Sequence, residues 1–216
     1  MSPAAQGTAE AARLVTGATG RPPLEEEMKA AGLEVLGPCE GLSQRRELLR
    51  ESPFLQDFTP AEAEVLGQAM LHVRAQAGQV LIAEGDASDW MMLLLSGTVD
   101  VGKRKVGAAV DRGALPVTTE RLAVLREGAA LGEMSMLDGE PRYASCWALS
   151  EVEAAVLSRA AVAGLIAGQP AVGAKLLVKI TQLLAQRLRN TSNQLLRHLE
   201  QAAAGQAASG PGPETI

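Results

Sequence analysis

Aromatic side chains are nearly absent from this chain: its 216 residues include two Trp, two Phe and one Tyr. Packing must therefore rest on Leu, Val, Ala and Met. Cysteine is as scarce. Cys39 and Cys146 stand far apart, which excludes a disulfide framework and a Cys-x-x-Cys metal site. The two histidines, His72 and His198, are equally isolated and read as structural or exposed residues. A metal centre of the barrel-shaped cupin type, and with it a cupin-like enzyme, is disfavoured on that ground. Positive charge is in short supply, and the net charge of −5 argues against a nucleic-acid-binding face. No apolar run is long enough for a bilayer. The longest, Ala160 to Ala174, is interrupted by Gln169 and Pro170. The opening MSPAAQGTAEAARLV lacks the basic and apolar regions of a secretory signal. Neither a nucleophile elbow nor a metal-protease motif occurs. These absences point to a cytoplasmic protein with no membrane span and no enzyme activity.

What is present is enough for a core, with 47% hydrophobic and 21% charged residues. Residues 1–23 read as a disordered tail rich in Ala, Gly, Pro and Thr. Residues 24–51 read as an N-terminal helical segment. In it Leu24 to Leu36 forms a helix opened by Glu25, Glu26 and Glu27 and broken by Gly37-Pro38, and Ser43 to Arg50 adds a turn or two. Thr59-Pro60-Ala61-Glu62 predicts a helix start, with Thr59 as N-cap, Pro60 at N1 and Glu62 closing a capping box. From about Leu71 short apolar runs alternate with glycine. Gln79–Ile82, Trp90–Leu95, Thr98–Val101, Arg121–Leu125, Ala144–Leu149 and Val152–Leu157 predict strands. Ser96-Gly97 reads as a hairpin turn, and residues 102–119 as a long hairpin loop. Such a series predicts a sandwich or barrel. After Ser158 the period becomes helical. Leu176, Leu177, Ile180, Leu183, Leu184 and Leu188 share one face, and Leu195, Leu196 and Leu199 resume it after the polar patch Arg189–Gln194. A long helix over 171–204 and a disordered tail over 205–216 follow.

The chemistry concentrates in Gly132-Glu133-Met134-Ser135 and Arg142-Tyr143-Ala144-Ser145, between two predicted strands. A short helix beginning near Glu133 offers unpaired backbone N–H groups to an anion. Gly132 lets the backbone come close. Arg142 can fork onto two phosphate oxygens, which Lys cannot do as well. Glu133 would repel a phosphate but suits a ribose hydroxyl, whose hydrogen bond it can accept. Each piece occurs often by chance. Their spacing together is far more specific.

This segment, GEMSMLDGEPRYAS, resembles the phosphate-binding cassette of cyclic-nucleotide-binding domains, the family of the catabolite activator protein, protein kinase A regulatory subunits and cyclic-nucleotide-gated channels. Pro53-Phe54-Leu55, Gly78–Ile82, Glu84-Gly85-Asp86 and Leu95–Val99 extend the resemblance over roughly residues 52–188. It implies a mainly β fold with flanking helices: an eight-stranded double-stranded β-helix, or jelly-roll-like β-roll, over 52–170, with N-terminal helices and a long C-terminal lid and dimer helix. It implies that Glu133 binds the ribose 2′-hydroxyl with help from the Gly132 carbonyl, and that Arg142 binds the phosphate with the backbone N–H groups of Ser135 and Tyr143. Ser145 sits where many members carry Thr or Ser near the base. Gly132, Glu133, Met134, Ser135, Arg142, Tyr143 and Ser145 are the candidate ligand-binding set. Leu131 and Ser135 depart mildly from the family pattern. Tyr143 departs more, since a small residue usually follows the Arg. It could stack on the base, point outward or obstruct the pocket.

The expected function is a stand-alone cyclic-nucleotide sensor needing no metal or cofactor. Cyclic AMP is favoured, because no Thr follows Arg142, and cyclic GMP is the second choice. Binding would repack the C-terminal helix and so regulate a protein partner that the sequence does not name. The long apolar face of that helix predicts a homodimer. Direct DNA binding is not expected, because no helix-turn-helix follows Glu200. The alternatives are an interaction scaffold whose pocket Tyr143 closes, or a catabolite activator-like regulator acting without its own DNA-binding domain. Trp90 and Trp147 read as barrel residues.

Overall fold

The computed structural model describes residues 22–104 and 119–208. Residues 1–21 of the tail expected over 1–23, residues 105–118 of the hairpin loop expected over 102–119 and residues 209–216 of the tail expected over 205–216 lie outside the described residues. The chain divides into two compact units, Met1–Leu177 and Val178–Ile216.

In the first unit α1 (Leu24–Ala30) leads to β1 (Glu34–Pro38). A 3-10 turn (Leu42–Gln44), α2 (Arg46–Glu51) and α3 (Pro60–Gln68) follow. Then come β2 (Leu71–Ala75), β3 (Val80–Ile82), β4 (Trp90–Ser96), β5 (Thr98–Arg104), β6 (Thr119–Arg126) and β7 (Ala130–Leu131). The short helix α4 (Glu133–Asp138), β8 (Ser145–Ala148), β9 (Val152–Ser158) and α5 (Arg159–Gly168) complete the series. The last helix, α6 (Pro170–Ala208), starts in this unit and makes up the described part of the second. Among the described residues no helix is long and apolar enough to cross a membrane.

The strands form two antiparallel sheets, ordered β1-β2-β9-β4-β7 and β3-β8-β5-β6. Their facing side chains make one core. Val73, Trp90, Met92, Leu94, Leu131, Ala154 and Val156 of the first sheet meet Leu81, Ile82, Val99, Cys146 and Ala148 of the second. The fold is the mainly β jelly-roll with flanking helices that the sequence predicts. Strand β4 shows why its sequence does not alternate: six consecutive residues from Trp90 are buried, as expected of a strand covered on both faces. Cys39 and Cys146 are buried thiols, and burial pushes the Cys39 thiol up to about 11.

Three expectations are corrected. The first helix stops at Ala30, not Leu36, and Glu34–Pro38 pairs with β2 instead, Glu34 opposite Arg74 and Val35 opposite Val73. Leu33 and Val35 alternate inward at strand spacing, and an open sheet edge offered backbone partners that no local signal reveals. Among the described residues the β-roll over 52–170 holds the expected eight strands, β2 to β9, and β1 adds a ninth strand ahead of it. Ser96-Gly97 is not a hairpin turn. β4 pairs with β9 and β7, β5 with β6 and β8, so the chain crosses from one sheet to the other here. Gly97 makes the corner with φ +88, and a Cβ there would collide with the Glu151 carbonyl and with Val152. Finally, α6 runs on through the polar patch and past Ala204 to Ala208, because the helix preference of its alanines outweighs Gly205.

The capping box forms as predicted. Thr59 Oγ1 accepts from the Glu62 amide at 3.3 Å and Glu62 Oε2 accepts from the Thr59 amide at 2.8 Å. Glu62 also accepts from Lys175 Nζ at 2.6 Å, tying α3 to the first turns of α6. The Lys175 hydrogen bond, then the Thr59 amide, hold the Glu62 carboxyl down at about 2, against the usual 4.5. A carboxyl whose folded value is depressed contributes stability that is complete above its unfolded value and is lost as pH falls through the folded one. Lys175→Ala therefore lowers the melting temperature at pH 7, and its deficit against the unaltered chain shrinks as pH falls from about 4.5 toward about 2. Thermal melts of both proteins at pH 7 and pH 2.5 check this. A deficit of equal size at both pH values contradicts it.

Candidate functional site

β7 delivers the chain to Gly132, which caps α4 with φ +78. A Cβ at this position would lie 2.6 Å from Arg142 Nη1 and 3.0 Å from Ile82 Cδ1. Glycine is thus required here twice over, for its backbone conformation and for the approach of the Arg142 guanidinium. α4 is a single short turn held at its end by a residue the motif does not contain. Arg159, at the start of α5, donates Nε to the Met136 carbonyl at 2.6 Å and Nη2 to that of Ser135 at 3.2 Å. It supplies a donor to the Met136 carbonyl, adds one to the Ser135 carbonyl that also accepts from the Gly139 amide, and offsets the negative end of the helix dipole.

After α4 the chain runs extended to β8, and Arg142 is fastened on the way. Its amide donates to the Asp86 carbonyl and its own carbonyl accepts from the Gly85 amide, each at 2.9 Å. Its guanidinium turns inward and is 3% exposed. Nε donates to Ser88 Oγ, Nη1 to the Gly132 carbonyl and Nη2 to the Trp90 carbonyl, all at 2.6 Å. The plane rests on the Trp90 indole, with Cζ 4.2 Å from the ring centroid. All three acceptors are uncharged, so they orient the cation without neutralising it. Each Nη keeps one further N–H, since each carries two and gives one to these acceptors. Burial pushes Arg142 down to about 10, opposed by the nearby Cys146, Glu27, Glu133 and Asp89. It remains fully charged at neutral pH.

The structure brings Gly132, Glu133, Ser135 and Arg142 into one buried turn. Glu133 has no exposed surface and Ser135 almost none. Met134 points outward on α4, 45% exposed. Tyr143 is 58% exposed, with Lys103 Nζ 3.3 Å above its ring and bonded to its carbonyl at 3.0 Å. Of the three orientations open to it, the outward one is found. The Ser145 hydroxyl accepts from the Glu84 amide at 2.9 Å and so fastens the end of β3 to β8.

A cavity of about 500 Å³ opens beside Arg142, lined also by Asp86, Ser88, Trp90 and, from α1, Glu27 and Met28. Of the seven candidate ligand-binding residues, only Arg142 lines it. Sequence reasoning missed Ser88, Glu27 and Arg159, and read Trp90 as a barrel residue alone. Glu84-Gly85-Asp86 was the one signal that the loop before β4 belongs to the site. Among the described residues no cluster of His, Cys, Asp and Glu could hold a metal ion. His72 instead lies 3.3 Å from Glu153, which also binds Arg45 and Arg74. The His198 side chain lies outside the described residues.

A model of the cyclic nucleotide-binding domain family matches residues 72–169. The chain is 30% identical over 149 residues to a CRP-like cAMP-activated global transcriptional regulator of Mycobacterium tuberculosis, covering 69% of this chain and 61% of that protein. It is 33% identical over 120 residues to a cAMP-dependent protein kinase regulatory subunit of Aspergillus niger, covering 54% of this chain and 26% of that one. It therefore spans about three-fifths of the first relative and a quarter of the second. Among solved structures, a cyclic nucleotide-binding domain from Methylobacillus flagellatus is similar at a TM-score of 0.66 and 32% identity, covering 79% of this chain and 91% of that one.

Proposed function

The chain belongs to the cyclic nucleotide-binding domain family, and from that premise we propose that it is a cytoplasmic sensor of a cyclic nucleoside monophosphate, cyclic AMP before cyclic GMP. The observation that carries this reading is Arg142. It is a buried cation on neutral acceptors, with one N–H of each Nη left for the two free oxygens of a cyclic phosphate. Glu133, buried in the neighbouring turn and outside the cavity lining, would turn its carboxylate to the ribose 2′-hydroxyl when the nucleotide enters, assisted by the Gly132 carbonyl. The amides of Ser135 and Tyr143 supplement the phosphate contacts. The outward orientation of Tyr143 favours an open pocket over the scaffold reading. Two relatives named above, a cAMP-activated regulator and a cAMP-dependent kinase regulatory subunit, support cyclic AMP. They support a regulatory rather than catalytic role as well. Occupancy of the pocket shifts the packing of the helix that begins at Pro170 and is read by a protein partner. Calorimetric titration with each nucleotide tests the reading. Micromolar binding of cyclic AMP, tighter than that of cyclic GMP, is expected, and no binding of either below about millimolar ends it.

The second unit carries the proposal of a homodimer. Leu188, Leu195 and Leu199 recur on one helical face, with Leu196 beside them, and each is more than half exposed. A second copy of the same face would cover them. Sedimentation equilibrium is expected to give a dimer at micromolar protein that Leu195→Glu converts to monomer. A monomer at high micromolar concentration contradicts the proposal.

A further inference from the structure

Glu25, Glu26 and Glu27 open α1, ahead of the family match that begins at His72. Their surroundings differ. Glu25 pairs with Lys29 at the surface. Glu27 turns inward, and its Oε1 accepts from Trp90 Nε1 at 2.6 Å. α1 is anchored where it carries Glu27: the neighbouring Met28 is fully buried in the core between the sheets, joined by Leu33. Trp90 in turn touches Arg142 twice, through the ring beneath the guanidinium and through the carbonyl that takes Nη2. Glu27, Trp90 and Arg142 line the same cavity.

We propose that Glu27 is a positioning residue of the anion site, which through the Trp90 indole holds Arg142 in place and makes the N-terminal α1–β1 segment a determinant of cyclic nucleotide affinity. The physical basis is a relay. An indole N–H donating to a carboxylate gains electron density over its ring, which strengthens the hold of the ring on a cation above it. The same hydrogen bond locks the indole against rotation, and with it the guanidinium stacked there. Glu27 is also among the carboxylates whose charge offsets the burial of Arg142. This inference rests on the reading that Arg142 captures the phosphate.

The test is calorimetric titration of the full chain with cyclic AMP, comparing the unaltered protein with Glu27→Ala, Glu27→Gln and Trp90→Phe. Glu27→Ala is expected to weaken binding about tenfold, the size of one lost charge-assisted hydrogen bond. Glu27→Gln keeps an acceptor for the indole but not the charge, and is expected to bind more tightly than Glu27→Ala and less tightly than the unaltered protein. Trp90→Phe keeps a ring and deletes the donor, so it reproduces Glu27→Ala and carries the test if that variant does not fold. In a Trp147→Phe background, where Trp90 is the one remaining tryptophan, Glu27→Ala shifts the tryptophan emission more than Glu27→Gln does. Unaltered affinity in both Glu27→Ala and Trp90→Phe overturns the inference and leaves the proposed function standing. Failure of the unaltered chain to bind either nucleotide overturns both.

Discussion

Arg142→Ala is expected to lose about 2–5 kcal/mol of cyclic nucleotide binding, the cost of depriving a charged ligand group of its buried partner. The guanidinium is placed for this by geometry that no other residue at the position reproduces. Its three anchors lie on two distant stretches of chain: Ser88 and Trp90 where the loop enters β4, and Gly132 at the cap of α4. Removing it also leaves the carbonyls of Gly132 and Trp90 without this donor, so some loss of stability accompanies the loss of binding. Arg142→Lys separates the two effects. It keeps the charge but gives up the planar fork, and is expected to keep more of the stability than of the affinity. Calorimetric titration with cyclic AMP beside a thermal melt measures both. If Arg142→Ala binds as well as the unaltered chain, phosphate capture by this residue is wrong.

Gly132→Ala is expected to damage fold and site together. The positive φ costs an L side chain about 1–2 kcal/mol. In a domain of this size that lowers the melting temperature by roughly 2–8 °C. The new methyl must also displace Arg142 Nη1, which a Cβ would approach to 2.6 Å, and Nη1 is the atom that donates to the Gly132 carbonyl. Gly78→Ala is the comparison. Gly78 has a similar φ of +87 with nothing within 4 Å of its Cβ position, so it suffers the backbone strain without the collision. Both variants should melt early, but only Gly132→Ala should lose cyclic AMP affinity. Equal affinities would mean that the close approach of the guanidinium to Gly132 is not needed for binding.

The two tests bear on different kinds of information. Gly132, Glu133 and Arg142 stand within a short stretch of chain, and their chemistry is readable from residue type and spacing. Their partners are not. Ser88 and Trp90 carry no motif, because what they give Arg142 is a hydroxyl and a backbone carbonyl, and every residue has the second. Arg159 follows a predicted strand and shows no sign of the α4 carbonyls it donates to from more than twenty residues away. Tyr143 could not be oriented in advance, since Lys103, far away in sequence on β5, holds it outward.

Local interactions were open to reading. The capping box at Thr59 and Glu62 closes within one turn. The apolar runs of the strands and the period of α6 follow from local patterning, and the Gly132–Ser145 segment was legible from its residue types and its resemblance to the family. Pairing was hidden. Tertiary structure alone sends β4 and β5 to different sheets, turns residues 34–36 from the end of a helix into part of an edge strand, and sets Glu27 against Trp90 beneath Arg142. Each of these outcomes is selected by hydrogen bonds and packing between residues far apart in the chain. Side-chain spacing along the chain carries no trace of which distant partner will supply them.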